Sequence, residues 1–195
     1  MEEEKNLEDM SLEELWQLFP IILKSHNPDY KKWFKEERKS LRSILDKEKI
    51  KRISHIGSTA VKGLIAKPTV DILLEISKDY DLKILKSTLL KNNWLLMHEN
   101  DSKEIDLVFN KGYTPAGFAQ KVYHLHVRYF GDWDELYFRD YLREHPEIAS
   151  KYAELKKSLE KKYKNDRDGY TEAKSEFIKK WTEKARDEFG GRYKE

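Results

Sequence analysis

The most informative stretch of the sequence is HIGSTAVKGLIAKPTVDILLE, residues 55–75. An apolar run ends at Gly57-Ser58, and a second run begins after Pro68 with Asp71 near its start. We predict strands at 50–56 and 69–76, joined through a small-residue turn that offers N–H groups and a hydroxyl. Asp71 then carries a carboxylate on a strand next to that turn.

A turn that holds phosphate beside an acid that holds a metal is the local arrangement of nucleotidyl transfer. The nucleotidyltransferase signature has two acids on the second strand, separated by one apolar residue. Gly57, Ser58 and Asp71 match, but Leu73 occupies the place of the second acid. Glu75 does not replace it, because four residues of strand span about 13 Å. Asp106, in the apolar stretch 103–110, is the remaining candidate if its strand lies beside that of Asp71.

Lys67 and the residues around the turn are candidates for phosphate binding. Lys67 precedes Pro68 and is held extended, so its ammonium can reach a phosphate gathered by the turn. The alternative is an exposed lysine. His55 lies just before the turn, and we expect its side chain beside it. Thr59 offers a second hydroxyl next to Ser58.

His124 and His126 alternate with Leu125 and Val127, so both imidazoles point to one face of a predicted strand, about 6.6 Å apart. This spacing suits two ligands of one metal ion or two donors to one anion. It also suits a polar sheet face that a helix covers.

Two C-terminal residues complete the candidate set. Arg139 is followed by Asp140 and is either a clamp for a ligand anion or half of an internal ion pair that docks a helix. Lys174 lies four residues after Tyr170 and shares a helical face with it, either closing a pocket or docking the helix.

Four segments in order resemble the GrpB family of small bacterial proteins. They are HIGSTAVKGLIAKP with DI (55–72), HLHV (124–127), FRDYLREHPEIASKYAELKKSL (138–159) and YTEAKSEFI (170–178). The resemblance extends from about residue 18 to 189 and implies a nucleotidyltransferase-like fold with a ligand pocket, although the family has no settled reaction. Related domains are joined to dephospho-CoA kinase. Lys62 replaces the family's usual proline, which removes a fixed φ from the loop.

Composition restricts the class of protein. The 195 residues contain no cysteine, which excludes disulfides, thiolate metal sites and a cysteine nucleophile. The chain shows neither a long apolar run nor a secretion signal, so we expect a cytoplasmic protein without membrane contact. A net charge of +2 gives no general attraction for nucleic acid, and we do not expect nucleic acid as a partner. An anion site must therefore be local.

The predicted architecture is an α/β (α+β) fold, a mixed sheet flanked by helices. We divide it into a flexible acidic N-terminus (1–10), a nucleotidyltransferase-like core (11–131) and C-terminal helices that pack on the core (132–195). Beyond the two strands named above, the patterns predict helices at 11–18, from residue 27 and at 79–91, and strands at 19–23, 94–99, 103–110 and 122–130. Apolar stripes led by Ile148 and Ala173 predict the C-terminal helices, with Lys156, Lys157, Lys161 and Lys162 facing solvent.

These patterns predict a pocket for a nucleotide or another phosphorylated small molecule, with metal-dependent nucleotidyl transfer through Mg²⁺ or Mn²⁺ as its chemistry. The alternative is a degenerate module that binds a nucleotide, a coenzyme A-like ligand or a partner protein, which the loss of the second acid at Leu73 favours. The expected roles are catalysis by Asp71 and Asp106, metal binding by Asp71, His124 and His126, and ligand binding by His55, Gly57, Ser58, Thr59, Lys67, Arg139 and Lys174.

Overall fold

A computed structural model describes residues 6–100 and 104–194. Within those ranges the strands and α-helices are, in chain order, α1 (Leu12–Leu18), α2 (Tyr30–Ile44), β1 (Ile50–Ile56), β2 (Thr69–Ile76), α3 (Leu82–Lys91), β3 (Leu95–Glu99), β4 (Leu107–Thr114), β5 (Gly117–Tyr129), α4 (Asp134–Glu144), α5 (Pro146–Lys162), α6 (Arg167–Glu172) and α7 (Ser175–Phe189).

The strands form one mixed sheet in the order β1-β2-β5-β4-β3. β2 and β5 run parallel, and the other neighbouring strands are antiparallel. The register places Asp71 on β2 between Ile56 of β1 and His124 of β5. The predicted mixed sheet flanked by helices is confirmed, and the strands predicted at 50–56 and 69–76 have the observed bounds.

The two faces of the sheet differ because successive side chains of a strand alternate. One face is apolar and forms the main core with α2 and α3, and it includes Ile72, Leu74 and Leu125. The other face carries Asp71, Glu75, His124, His126 and Arg128, the residues that alternate with that core in the same register. The ionisable side chains of β2 and β5 named here therefore lie on one face of the sheet.

The C-terminal helices form a second core. Their buried members include Tyr137 and Tyr141 of α4, Tyr152 of α5 and Ala185 of α7, with Trp181 packed against them. Leu136 of α4 joins this layer to the sheet through Ile56 and Leu73. Both predicted helical stripes thus pack in this core, with Leu155, Phe177, Trp181 and Phe189 only partly buried. A search of the described helices finds no candidate membrane span.

Several predicted boundaries are wrong for identifiable reasons. Residues 19–23 form no strand; the backbone N–H of Ile21 instead donates to Lys164 O, and that of Leu23 donates to a carboxylate oxygen of Glu160. α3 begins only at Leu82 because the side chain of Asp81 caps it. β4 ends at Thr114 rather than Asn110.

At the N-terminus, the helix predicted at 11–18 is present with the expected capping box between Ser11 and Glu14. Residues 7–9 form a short 3₁₀ turn. The remaining part of the predicted flexible segment, residues 1–5, lies outside the described residues.

Glu75 is fully buried on the polar face and is paired with Arg52 of the neighbouring strand. Arg52 Nη2 donates to Glu75 Oε1 at 2.6 Å and to Gly131 O at 2.7 Å. The guanidinium carbon lies 4.9 Å from the Phe130 ring centroid and 5.1 Å from that of Tyr193. The pair therefore joins β1 and β2 to the segment that enters α4 and to the C-terminus.

We expect Arg52→Met to lower the free energy of unfolding by about 3–5 kcal/mol, since it leaves the buried Glu75 carboxylate without its partner. Urea denaturation measures the change. Lys51→Met at the exposed neighbouring position is the matched control and should stay within about 0.5 kcal/mol of the parent. Equal, small effects of both substitutions would contradict this description of the pair.

Candidate functional site

Gly57 brings the turn into contact with Asp71. Its φ of +69° lies in the left-handed region, and a Cβ at this position would overlap the Asp71 carboxylate, with Asp71 Cγ at 2.9 Å. Glycine is needed here both for the backbone conformation and for the close approach. The Ser58 turn and the Asp71 carboxylate are therefore adjacent, as the sequence predicts.

Asp71 is the first member of a hydrogen-bonded chain on the polar face. His124 Nδ1 lies 3.1 Å from Asp71 Oδ1, and His124 Nε2 lies 2.8 Å from the Tyr113 hydroxyl. A carboxylate only accepts hydrogen bonds, so Nδ1 carries the proton and Nε2 accepts from Tyr113. Both nitrogens of His124 are occupied by protein partners in this arrangement.

The charge states of this chain follow from burial and hydrogen bonding. Burial would raise the pKa of Asp71, but the His124 hydrogen bond and nearby cations outweigh it and hold that pKa below its usual value. Burial lowers the pKa of His124 and lowers that of His126 to about 4. Asp71 is thus ionised and both imidazoles are neutral at physiological pH.

Lys156 of α5 enters the site from the opposite side. It is 2% exposed, and its Nζ donates to Ser58 Oγ at 3.0 Å and to Ile65 O. The predicted solvent-facing position of Lys156 is wrong, because Lys156 is one helical turn after the buried Tyr152 and shares its face. Burial lowers the pKa of Lys156 to about 7.

Two more lysines neighbour the same carboxylate, and Arg167 lies beside both of them. Burial, with Arg167 nearby, lowers the pKa of Lys67 to about 7, and burial lowers that of Lys174 to about 8. The charge of Asp71 acts on both lysines in the opposite direction. Among the described residues, no carboxylate lies within ion-pairing distance of Lys67, Lys156, Lys174 or Arg167. The cleft around Asp71 therefore carries more positive than negative charge.

Lys174 and Arg167 are positioned by aromatic rings. Lys174 Nζ lies 4.3 Å from the ring centroid of the buried Tyr170, and Arg167 Cζ lies 5.9 Å from that of Tyr113. A cavity of about 390 Å³ opens beside Arg167 and is lined by Lys67, Tyr113 and Arg167 among mainly apolar residues. Lys67 and Arg167 therefore border open space that a small anion can enter, whereas Lys156 and Lys174 do not line this cavity.

Some predicted site residues lie elsewhere. Asp106 precedes β4 and is 2.7 Å from Arg128, with β5 between it and the strand of Asp71. Arg128 is also four residues, about 13 Å, along β5 from His124. The structure therefore does not bring Asp106 to Asp71.

His55, Thr59 and Arg139 have structural partners. His55 lies on the core face, stacked on Phe34 at 4.9 Å, and its Nε2 is 3.0 Å from Thr59 Oγ1. Thr59 donates to Thr69 O at 3.0 Å and is buried. Arg139 contacts Asp140, the backbone oxygen of His55 and the Tyr193 hydroxyl, which is the internal docking alternative rather than a clamp.

The predicted metal ligands do not form a three-ligand cluster. Within the described ranges, no group of three or more His, Cys, Asp or Glu side chains converges as a metal site would require. His124 uses both ring nitrogens, and Leu73, where a second acid would lie, is fully buried against Ile56 and Leu136. Of the three predicted ligands, the Asp71 carboxylate and the His126 imidazole are the groups left to coordinate an ion.

Sequence reasoning missed Lys156, Arg167 and Tyr113. The helical phase of Lys156 with Tyr152 was the available signal. Tyr113 follows Gly112, whose φ of +91° accompanies a register shift between β4 and β5. Such a bulge re-aims the next side chain, which here faces His124. For Arg167 the sequence offers no comparable pattern.

Together these features define an α/β protein in which a Gly-Ser turn, a buried carboxylate and several cations lie close together on one face of a mixed sheet. The chain belongs to the GrpB family: the family's sequence model, described as GrpB protein, matches residues 20–184. The expected resemblance is confirmed.

Its relatives include proteins from several bacteria. The glutamate-rich protein GrpB of Alkalihalophilus pseudofirmus is 37% identical over 81% of this chain and 91% of its own length. A UPF0157 protein of Pseudomonas aeruginosa is 37% identical over 78% of this chain, and YqkA of Bacillus subtilis is 32% identical over 85%. The chain spans 62% and 47% of these two longer proteins.

A solved structure shares the fold. The crystal structure of conserved protein GrpB from Enterococcus faecalis superposes with a TM-score of 0.73 at 31% identity, covering 86% of this chain and 99% of that one.

The contact of Gly57 with Asp71 has a matched control in Gly63, which also has a positive φ but where an added Cβ would have no neighbouring atom within 4 Å. We expect Gly63→Ala to cost about 1–2 kcal/mol for its left-handed backbone alone. Gly57→Ala should cost at least about 1 kcal/mol more, because the Asp71 carboxylate must move. Chemical denaturation of both variants tests this, and equal losses would show that the carboxylate does not restrict position 57.

Proposed function

We propose that this protein binds a phosphorylated small molecule, of which a nucleotide is the best example, in the cleft between the Gly57-Ser58 turn, β2 and α5. The observation that carries the proposal is the surplus of positive charge around Asp71. Lys67, Lys156 and Lys174 share this one acidic neighbour, and Arg167 adds a further positive charge beside Lys67 and Lys174.

A surplus of this kind is unfavourable in the free protein. A buried ammonium without a paired anion loses its hydration, and part of that loss is seen in the lowered pKa values of the three lysines. A ligand with several phosphate oxygens would supply the missing partners. Binding then stabilises the cationic forms of the lysines and the folded protein together.

The residues have distinct roles in this proposal. The turn N–H groups and Ser58 bind phosphate oxygens, as small-residue turns do elsewhere. Lys156 holds Ser58 in place and faces the same phosphate, while Lys67, Lys174 and Arg167 surround the remaining oxygens. Asp71 and His124 set the negative end of the cleft and orient the ligand.

Binding is better supported than catalysis. Two-metal transfer needs two convergent carboxylates, and the described residues offer Asp71 with an aliphatic Leu73 at the companion position. An accessory or sensor module that binds a nucleotide or a coenzyme A-like ligand fits this donor set. Metal-dependent nucleotidyl transfer with Mg²⁺ or Mn²⁺ is the second candidate, because Asp71 is ionised and adjacent to the phosphate site.

We expect pyrophosphate, nucleoside triphosphates or coenzyme A derivatives to raise the melting temperature of the protein. A ligand at about 100 times its Kd adds about 2.7 kcal/mol, which for a chain of this size corresponds to about 5–10 °C. Lys156→Met should reduce the shift, because the methionine fills the space without the charge while the other cations remain. Thermal-shift measurements with and without Mg²⁺ provide the readout.

Lys157→Met, at the exposed neighbouring position, is the control and should respond as the parent does. The Mg²⁺ arm separates the two candidates: a shift that requires metal and disappears in Asp71→Asn supports transfer, whereas a metal-independent shift supports a binding module. If no anion raised the melting temperature, the proposal would be abandoned.

A further inference from the structure

A second concavity, the α2–α5 groove, is formed by other side chains than those of the cleft. It has a volume of about 990 Å³, and residues 59–64 form its floor. Its charged side chains are Lys31, Lys35 and Arg38 from α2, Lys62 from the floor loop and Arg143 from the end of α4. All five side chains are exposed.

The charge of the groove is not balanced locally. No aspartate or glutamate of the described residues lines it. Three acidic residues near the groove in sequence have other partners: Glu36 pairs with Lys121, Glu37 with Lys111 and Glu147 with His145. Asp29 and Glu154 do not line the groove. Of the five cations, Arg143 is 3.2 Å from Asp140, whereas the other four have no carboxylate partner within the described ranges. The small net charge of the whole chain therefore conceals a strongly positive surface.

The three cations of α2 lie along one line. Lys31, Lys35 and Arg38 are four and three residues apart, so they share one helical face and follow one wall of the groove over about 10 Å. Small residues of α5, Ala149, Ser150 and Ala153, also line the groove. A row of cations along such a groove suits a chain with repeated negative charges.

The floor argues against an amphipathic peptide as that chain. Phe34, Leu64 and Leu142 are 8%, 4% and 2% exposed, so these apolar side chains of the groove are not available as anchors. A peptide helix in a groove depends on such anchors. A concavity of about 990 Å³ is also too small to enclose a duplex, whereas it can hold a single sugar–phosphate backbone.

We infer that the α2–α5 groove binds the sugar–phosphate backbone of single-stranded nucleic acid, a function beyond the proposed small-ligand site and independent of it. The four unpaired cations contact successive phosphates. Phe34 is buried and stacked on His55, so it offers no platform for a base. Binding therefore depends on charge, with little base preference.

The test is fluorescence anisotropy with labelled single-stranded RNA and DNA of about 12 nucleotides, a length within the site sizes of single-strand binders. For single strands the slope of log K against log salt is about −0.7 per phosphate neutralised, so four cations predict about −3. The double variant Lys31→Glu with Lys35→Glu should weaken binding by about tenfold or more.

The matched control is Lys157→Glu with Lys161→Glu, two exposed lysines of α5 that do not line the groove. Its binding should stay within about twofold of the parent. Equal losses in the two double variants would overturn the inference in favour of diffuse surface charge, as would tighter binding of a matched duplex or no binding at low salt. Circular dichroism shows whether each variant keeps its fold. Lys62→Glu removes a groove charge from the loop rather than from α2, so weaker binding by this variant reports lost charge and not a disturbed helix.

The two sites can be separated experimentally. Lys156→Met should bind the oligonucleotide as the parent does, and the Lys31/Lys35 double variant should retain the thermal shift with pyrophosphate. Loss of oligonucleotide binding in Lys156→Met would place the strand in the cleft and overturn the groove assignment.

Discussion

The contact between the backbone of Gly57 and the carboxylate of Asp71 is the constraint on which the rest of the site depends. It joins the end of β1 to β2 without an intervening side chain and turns the Ser58 hydroxyl toward α5. Lys156 then reaches from the second core to the turn and ties the C-terminal helices to the sheet. The same contacts thus hold the C-terminal helices on the sheet and position the side chains of the site.

The charge states of the site residues determine which ligand the cleft can bind. Asp71 is held ionised by the His124 hydrogen bond and nearby cations, and His124 is in turn fixed by Tyr113. One negative charge does not balance four neighbouring cationic groups, so burial shifts the lysines toward their neutral forms. The cleft therefore has fewer negative than positive groups, and a bound anion would balance the difference. The α2–α5 groove differs in that its cations are exposed and retain their hydration.

Features that depend on local sequence patterns can be predicted from the sequence. The strands at 50–56 and 69–76, the helical stripes and the proximity of Ser58 to Asp71 all follow from periodicity and turn chemistry. Contacts between distant segments lie beyond such patterns: residues 19–23 have the composition of a strand, yet their N–H groups bond to α5 and the segment after it. The helical phase of Lys156 with Tyr152 indicates that Lys156 is buried, but its contact with Ser58 depends on how α5 packs on the turn. Likewise, the order β2-β5-β4 separates Asp106 from Asp71, which periodicity cannot reveal.

Proton uptake on ligand binding tests the central claim most directly. At pH 8 burial leaves Lys67 and Lys156, with pKa values of about 7, mostly neutral, and a bound polyphosphate raises those pKa values. Isothermal titration calorimetry with a nucleoside triphosphate, whose phosphates are already ionised at pH 8, in buffers of different ionisation enthalpy, should therefore show net proton uptake that Lys156→Met reduces. Binding with no proton exchange, or with proton release, would contradict a cleft of buried lysines that becomes charged around a phosphorylated ligand.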